Sequence, residues 1–142
     1  TLSPFALVQE IRQFWQGPLV LAGAIATGRA VLATQAMGAD LAYVGSAFIA
    51  TREANAPDAY KRTIVDSAAA DVVYTNLFTG VHGNYLRSSI VSAGLDPGRT
   101  KAWRDIWGAG QGVGAIHEVP PARELVARIR GEYHAARAEL CP

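Results

Sequence analysis

The sequence predicts an α/β fold: parallel strands linked by helical crossovers, followed by a mainly helical block. Three observations carry this reading. Residues 4–53 alternate helix-like and strand-like segments with short connectors, the pattern of a parallel sheet with crossover helices. Residues 19–22 and 41–44 are short, continuously apolar runs, which suit strands buried on both faces of such a sheet. From residue 58 onward the pattern becomes mostly helical. With 142 residues, half of them hydrophobic and 18% charged, the chain has the size and composition of one folded domain.

Taken in order, residues 4–15 read as an amphipathic helix with Phe5, Val8, Ile11 and Trp15 at helical spacing. Ser3 and Pro4 suit its start, and Gln16, Gly17 and Pro18 stop it. A strand follows at 19–22, then a small-residue loop at 23–28. A second helix spans 29–37, begun by Thr27 or Gly28 and closed by Gly38. The second strand at 41–44 ends in Gly45 and Ser46, and a helical stretch covers 47–53. Beyond it the pattern predicts a helix at 58–69, an extended segment at 71–78 rich in Val72, Val73, Tyr74 and Phe78, and a glycine-containing turn at 79–84. A short helix is expected at 85–93, a loop at 94–100, a mobile glycine loop at 108–114, and a last helix at 122–140 with Leu125, Ile129, Tyr133 and Ala136 on one side. This divides the chain into residues 1–57, with the sheet, and residues 58–142, a mainly helical block packed on it.

The net charge of +1 gives no electrostatic reason for a nucleic-acid or acidic-membrane partner. No apolar run reaches the roughly 18 to 20 residues of a membrane span, and the N-terminus does not read as a signal peptide. The single cysteine, Cys141, provides neither a disulfide framework nor a metal cluster. The expected location is the cytoplasm. The chain opens Thr1, Leu2, Ser3, Pro4 without Met, as a cut or processed chain would.

The most informative segment is 18–51. Two consecutive strands end in small-residue loops, Ala22 to Ala26 and Val44 to Ser46. Glycine lets a ligand approach the backbone closely, and N–H groups at helix starts favour anions. Plain tight turns explain the same composition, so residue types alone leave both readings open.

The run PLVLAGAIATGRAVLATQAMGADLAYVGSAFIATREA resembles the nitronate monooxygenases, once called 2-nitropropane dioxygenases, and related flavin barrels. Their order there is an apolar strand, a Gly-Gly-Ile-Ala turn, Gly-Arg, an alanine-rich helix, Gly-Ala-Asp, a second apolar strand, Gly-Thr-Arg-Phe, then Ala-Thr and Glu. Looser similarity runs through Ala59, Tyr60, Lys61, Phe78, Thr79, Gly80, Leu86 and Arg87. The runs TNLFTGVHGNYLRSSIVSAGLDP and KAWRDIWGAGQGVG look like a branch linked to breakdown of steroid rings as acyl-CoA thioesters.

The resemblance implies the C-terminal part of a (β/α)8 TIM barrel with a mainly helical C-terminal extension. Such barrels often bind phosphate in the loops after their last two strands. It implies FMN as cofactor, its phosphate held by backbone groups of Gly23, Ala24, Val44, Gly45 and Ser46. Ala24 replaces the family's second glycine, and is tolerable only if its φ is not positive. Ser46 keeps a hydroxyl where threonine is usual, whereas Ala47 lacks the usual arginine's guanidinium. The family's active-site histidine belongs to a Gly-Gly-His motif that this sequence does not contain. The implied activity is flavin-mediated oxidation of a small nitronate. The alternatives are an NAD(P)H-dependent flavin reductase or dehydrogenase acting on an acyl-CoA, and a non-catalytic phosphate-binding remnant. Two doubly buried strands do not make a parallel sheet by themselves. The N-terminal part of the barrel, in the same precursor or as a second chain, is therefore the expected partner. Homo-oligomers are compatible with this.

Among other candidates, His82 sits in a polar, glycine-hinged run and is the candidate catalytic residue, against the reading of a surface-turn histidine. Asn84, Tyr85 and Arg87 suit a polar or anionic substrate, against capping and packing. His134 beside Glu132 reads as a solvated helix face. Neither it nor His117 shares a metal-ligand spacing with another histidine, so no metal site is expected. Residues 108–114 imitate a dinucleotide fingerprint, but no strand precedes them and Glu118, Val119 and Pro120 delay the helix. A loop near the flavin or over the mouth of the site is the better reading. Tyr60, Trp103 and Trp107 suit either a pocket wall or a core, and Asp66 and Asp71 read as helix caps.

Overall fold

The computed structural model describes residues 2–94 and 106–140. Helix α1 spans Pro4–Arg12, with the Ser3 side chain accepting from Phe5 N and Pro4 in the first turn. Strand β1 (Val20–Ala22) and strand β2 (Leu41–Tyr43) pair in parallel, linked by helix α2 (Gly28–Ala36). Thr27 caps α2 by accepting from Ala30 N, and Gly38 turns the chain at φ +105°. A knot around Arg12 fixes this unit. Its guanidinium donates to Asp40 at 2.7 Å and to the carbonyls of Gly17 and Gly38, each at 2.8 Å. The Asp40 carboxylate also accepts from Leu19 N at 2.7 Å, and these bonds hold its pKa below the ordinary value.

The strands depart from the expectation of two buried faces. Register sets Val20 opposite Leu41 and Ala22 opposite Tyr43, so all four share one face. That face is open: Val20, Leu41 and Tyr43 are 50%, 59% and 65% exposed. The other face buries Leu21 with Val8, Ile25 and Ala39. Among the described residues this sheet has only two strands, so nothing covers its open side.

The helical stretch expected at 47–53 is one short helix, α3 (Ser46–Ile49), and helix α4 is Asp58–Val65. The extended segment expected at 71–78 forms a strand, and it has a partner that the pattern did not predict. Strand β3 (Val72–Thr75) pairs antiparallel with β4 (Gly83–Leu86), and β4 continues the pairing through Tyr85 to Gly108. The helix expected at 85–93 therefore begins late, as α5 (Arg87–Ser92). Asp71 caps as expected, accepting from Ala68 N at 2.8 Å, whereas Asp66 lies at the C-terminal end of α4.

Helix α6 (Ala122–Leu140) returns to pack along α2. Gly28 permits the approach, since a Cβ there would lie 2.1 Å from Ile129 O and 2.2 Å from Tyr133 N. Glu132, read from sequence as part of a solvated face, is half-buried and accepts from Gly28 N at 2.7 Å and Arg128 Nη1 at 2.7 Å. The excursion between α3 and α6 is pinned at its base: Arg52 N donates to Pro120 O at 3.0 Å and Ala122 N to Glu53 Oε2 at 2.8 Å. One core joins both sides of residue 57, with Ala26, Ala47 and Ala50 against Ile64, Leu86, Val113 and Leu125. No helix among the described residues is long and apolar enough to cross a membrane.

Candidate functional site

The loops that end β1 and β2 lie side by side. Gly23, Ala24, Ile25 and Ala26 line one cleft of about 220 Å³ together with Tyr43, Gly45 and Ser46. Val44 is not in its lining but packs into the apolar clusters beside it. Ala24, Gly45 and Ser46 have backbone N–H groups without an acceptor among the described residues, whereas the parallel register directs Gly23 N toward Tyr43 O. Several unpaired donors at one concave site favour an anion.

Glycine usage supports a ligand there. Gly23 has φ +106°, which explains its residue type. Gly45 has φ −105°, open to any residue, and a Cβ there would meet no protein atom within 4 Å. Neither conformation nor packing demands glycine at 45. An added Cβ would point into the open cleft.

Ala24 corrects an expectation. Its φ is +56°, the left-handed region that the sequence reading took as incompatible with alanine at this place. Such a conformation costs a non-glycine residue about 1–2 kcal/mol. The surroundings that hold it come from far along the chain. Gly112 packs so closely that a Cβ would lie 2.8 Å from Ala24 O and 2.9 Å from Ala24 C.

The glycine loop at 108–114 is not the free loop its composition suggests. The Tyr60 hydroxyl donates to Gly108 O, Ala109 N donates to Asn84 O at 3.2 Å, and Leu86 N donates to Trp107 O at 2.8 Å. Ala109 and Val113 are buried, and residues Gln111–Ala115 form a 3-10 turn. Gly110 and Gly112 complete the cleft lining, and Gly110 N donates to Ser46 Oγ at 2.9 Å. The loop thus borders the cleft between the two strand-end loops. Tyr60 and Trp107 stack at 5.1 Å behind it, and burial raises the Tyr60 phenol above its ordinary pKa. Trp103 lies outside the described residues.

The remaining candidates are not brought together. His82 is exposed in the β3–β4 connection, stacks on Tyr74 at 4.9 Å, and does not line the cleft. Tyr85 packs edge-on against Phe78 at 5.4 Å, and Asn84 uses its carbonyl to hold Ala109. Arg87 is exposed on the rim of a separate apolar cleft of about 280 Å³, walled by Val73, Leu77, Phe78, Ile90 and Val91. His117, Glu118 and Arg128 border a third hollow of about 170 Å³ beside Ala47, where the family pattern has arginine. Among the described residues, no group of three His, Cys, Asp or Glu side chains could hold a metal.

Comparison with known proteins gives these shapes a context. The family model described as nitronate monooxygenase matches residues 2–97. A nitronate monooxygenase from Paraburkholderia phytofirmans is 30% identical over 96 residues, which are 68% of this chain and 26% of that protein. A probable nitronate monooxygenase from Staphylococcus aureus is 35% identical over 79 residues, 56% of this chain and 22% of that protein. Among solved structures, a variant of FabK from Thermotoga maritima matches with a TM-score of 0.80 and 26% identity, covering 99% of this chain and 50% of its own. The nitroalkane oxidase from Streptomyces ansochromogenes matches with a TM-score of 0.77 and 29% identity, covering 98% and 46%. The chain spans about a quarter of the curated relatives' length and about half of these structures.

Proposed function

The chain belongs to the nitronate monooxygenase family, and on that premise we propose that it carries the phosphate grip of an FMN-dependent oxidoreductase built on a TIM barrel. The observation that carries this reading is Gly45, a glycine that neither its φ nor its packing requires, beside unpaired N–H groups in a shared cleft. A phosphate fits donors of this kind at the ends of parallel strands. Ala24, Gly45 and Ser46 would hold it, with Gly23 and Val44 setting the directions of the two loops. When bound, FMN supplies the redox chemistry, here oxidation of a small nitronate, while the protein binds and orients. The open apolar face of Val20, Leu41 and Tyr43 is covered, in this reading, by the preceding part of the barrel, either in the same precursor or as a second polypeptide. The whole protein works in the cytoplasm.

A second reading of the substrate rests on the Arg87 cleft. An apolar groove with a guanidinium on its rim suits an amphipathic anion, such as an acyl-CoA thioester reduced or dehydrogenated through the flavin. His82 enters this proposal only through closure of the β3–β4 connection toward substrate.

The test is uptake of FMN by the purified protein, followed by flavin absorbance and by quenching of flavin fluorescence on titration. Retained flavin in a stoichiometric complex supports the reading. Protein that takes up no FMN but binds inorganic phosphate is the non-catalytic phosphate module instead.

A further inference from the structure

We propose that Gly110 is a positioning residue of the phosphate cradle, holding Ser46 so that its hydroxyl proton points into the cleft. This rests on the FMN reading above. Ser46 Oγ has two lone pairs and one proton. Gly110 N donates to one lone pair at 2.9 Å, which fixes the oxygen and polarises its O–H for donation to an anion. The donor itself is held in place. Gly108 is anchored by the Tyr60 hydroxyl and by its bridge to Tyr85, and Ala109 is buried with its N–H on Asn84 O. On the other side, Gly112 sits against the backbone of Ala24, where a Cβ would lie 2.8 Å from the carbonyl oxygen. A loop more than sixty residues away in sequence from Ser46 therefore forms the third wall of the cleft and touches both strand-end loops.

Proline removes the N–H and suits the local φ, but its Cδ would stand where the proton meets Ser46 Oγ and so would displace that hydroxyl. Gly110 has φ −77°, within the range that proline fixes. Gly110→Pro removes the donor. Gly110→Ala keeps it, and its Cβ would meet Ser46 Oγ at 3.6 Å and Ala24 N at 3.7 Å, ordinary contact distances. FMN dissociation constants are measured for wild type, Gly110→Pro, Ser46→Ala and the double variant, with the ³¹P resonance of bound FMN as a second readout. Gly110→Pro should weaken FMN about tenfold, the scale of one hydrogen bond to a charged group. The same substitution in the Ser46→Ala background should add nothing, because Gly110 acts through Ser46. Gly110→Ala should restore the affinity and the ³¹P shift lost with proline. If Gly110→Pro does not fold, amide exchange decides: the Gly110 N–H should exchange faster in Ser46→Ala than in wild type. An equal penalty in both backgrounds, or unchanged Gly110 exchange, overturns the proposal while leaving FMN binding intact. Wild-type protein that binds neither FMN nor inorganic phosphate removes both readings.

Discussion

Replacing Gly45 with valine separates a glycine kept for a ligand from one kept for the fold. At φ −105°, with no atom within 4 Å of an added Cβ, valine enters without a backbone penalty and without a clash. Stability should change by less than about 1 kcal/mol, as for substitutions away from packed features. Binding should not survive. The side chain would stand beside the N–H groups of Gly45 and Ser46 and keep a phosphate from reaching them. Hydrogen bonds to a charged acceptor contribute about 1.5–3 kcal/mol each. Two lost bonds correspond to about 3–6 kcal/mol, or a Kd raised by roughly two to four orders of magnitude. Flavin fluorescence titration gives the Kd, and urea unfolding of the same preparation gives the stability. Unchanged FMN affinity in a well-folded Gly45→Val protein would refute the assignment. A collapse of the urea midpoint would show instead that this glycine serves packing.

Three further outcomes follow from the geometry. Gly28→Ala drives a Cβ into the backbone of α6 and displaces Glu132 from the α2 N-terminus; overpacking and cap loss together should lower stability by about 2–4 kcal/mol in urea unfolding. Ala24→Gly relieves about 1–2 kcal/mol of left-handed strain against about 0.4–1 kcal/mol of added unfolded-state entropy, so the urea midpoint should hold or rise slightly; a marked fall would mean that the residue is not left-handed in solution. Asp40, with its pKa lowered by Leu19 N and Arg12, contributes stability that is fully present above its unfolded value of about 3.8 and lost as pH falls through the lower folded value. Asp40→Asn should therefore flatten the acid limb of stability measured from pH 5 down to pH 2, and an unchanged limb would show that the Arg12 knot does not couple to folding.

How much of this was legible in the sequence depended on how local each cause was. β1, α2 and β2 followed from short apolar runs, Thr27 as a cap and Gly38 as a stop, all signals within a few residues. The shared cleft followed from two loops that share one sheet end. β4 was missed because Gly83 and Asn84 carry little strand preference; the strand exists through pairing to β3 and to Gly108, which no window of neighbouring residues contains. The left-handed Ala24 was unreadable for the same reason, since Gly112 shapes the space around it. Glu132 carried the pattern of a solvated helix face, and only the return of α6 onto α2 gives it Gly28 as a partner. The Tyr60, Asn84 and Trp107 bonds likewise turn a composition that reads as mobile into a held wall.

The bonds from Arg52 N to Pro120 O and from Ala122 N to the Glu53 carboxylate bring the two ends of residues 54–119 to one doorway. With its ends already closed, such an excursion can change length cheaply, since doubling a loop adds only about 0.6 kcal/mol of closure entropy. Ile64, Leu86, Val113 and Ile116 are fixed in the shared core, so that freedom belongs to the exposed parts of the stretch, such as the β3–β4 connection. The segment carrying Gly110 and Gly112 must also return to the strand ends, so change in the excursion is tethered to the cleft as well as to the core.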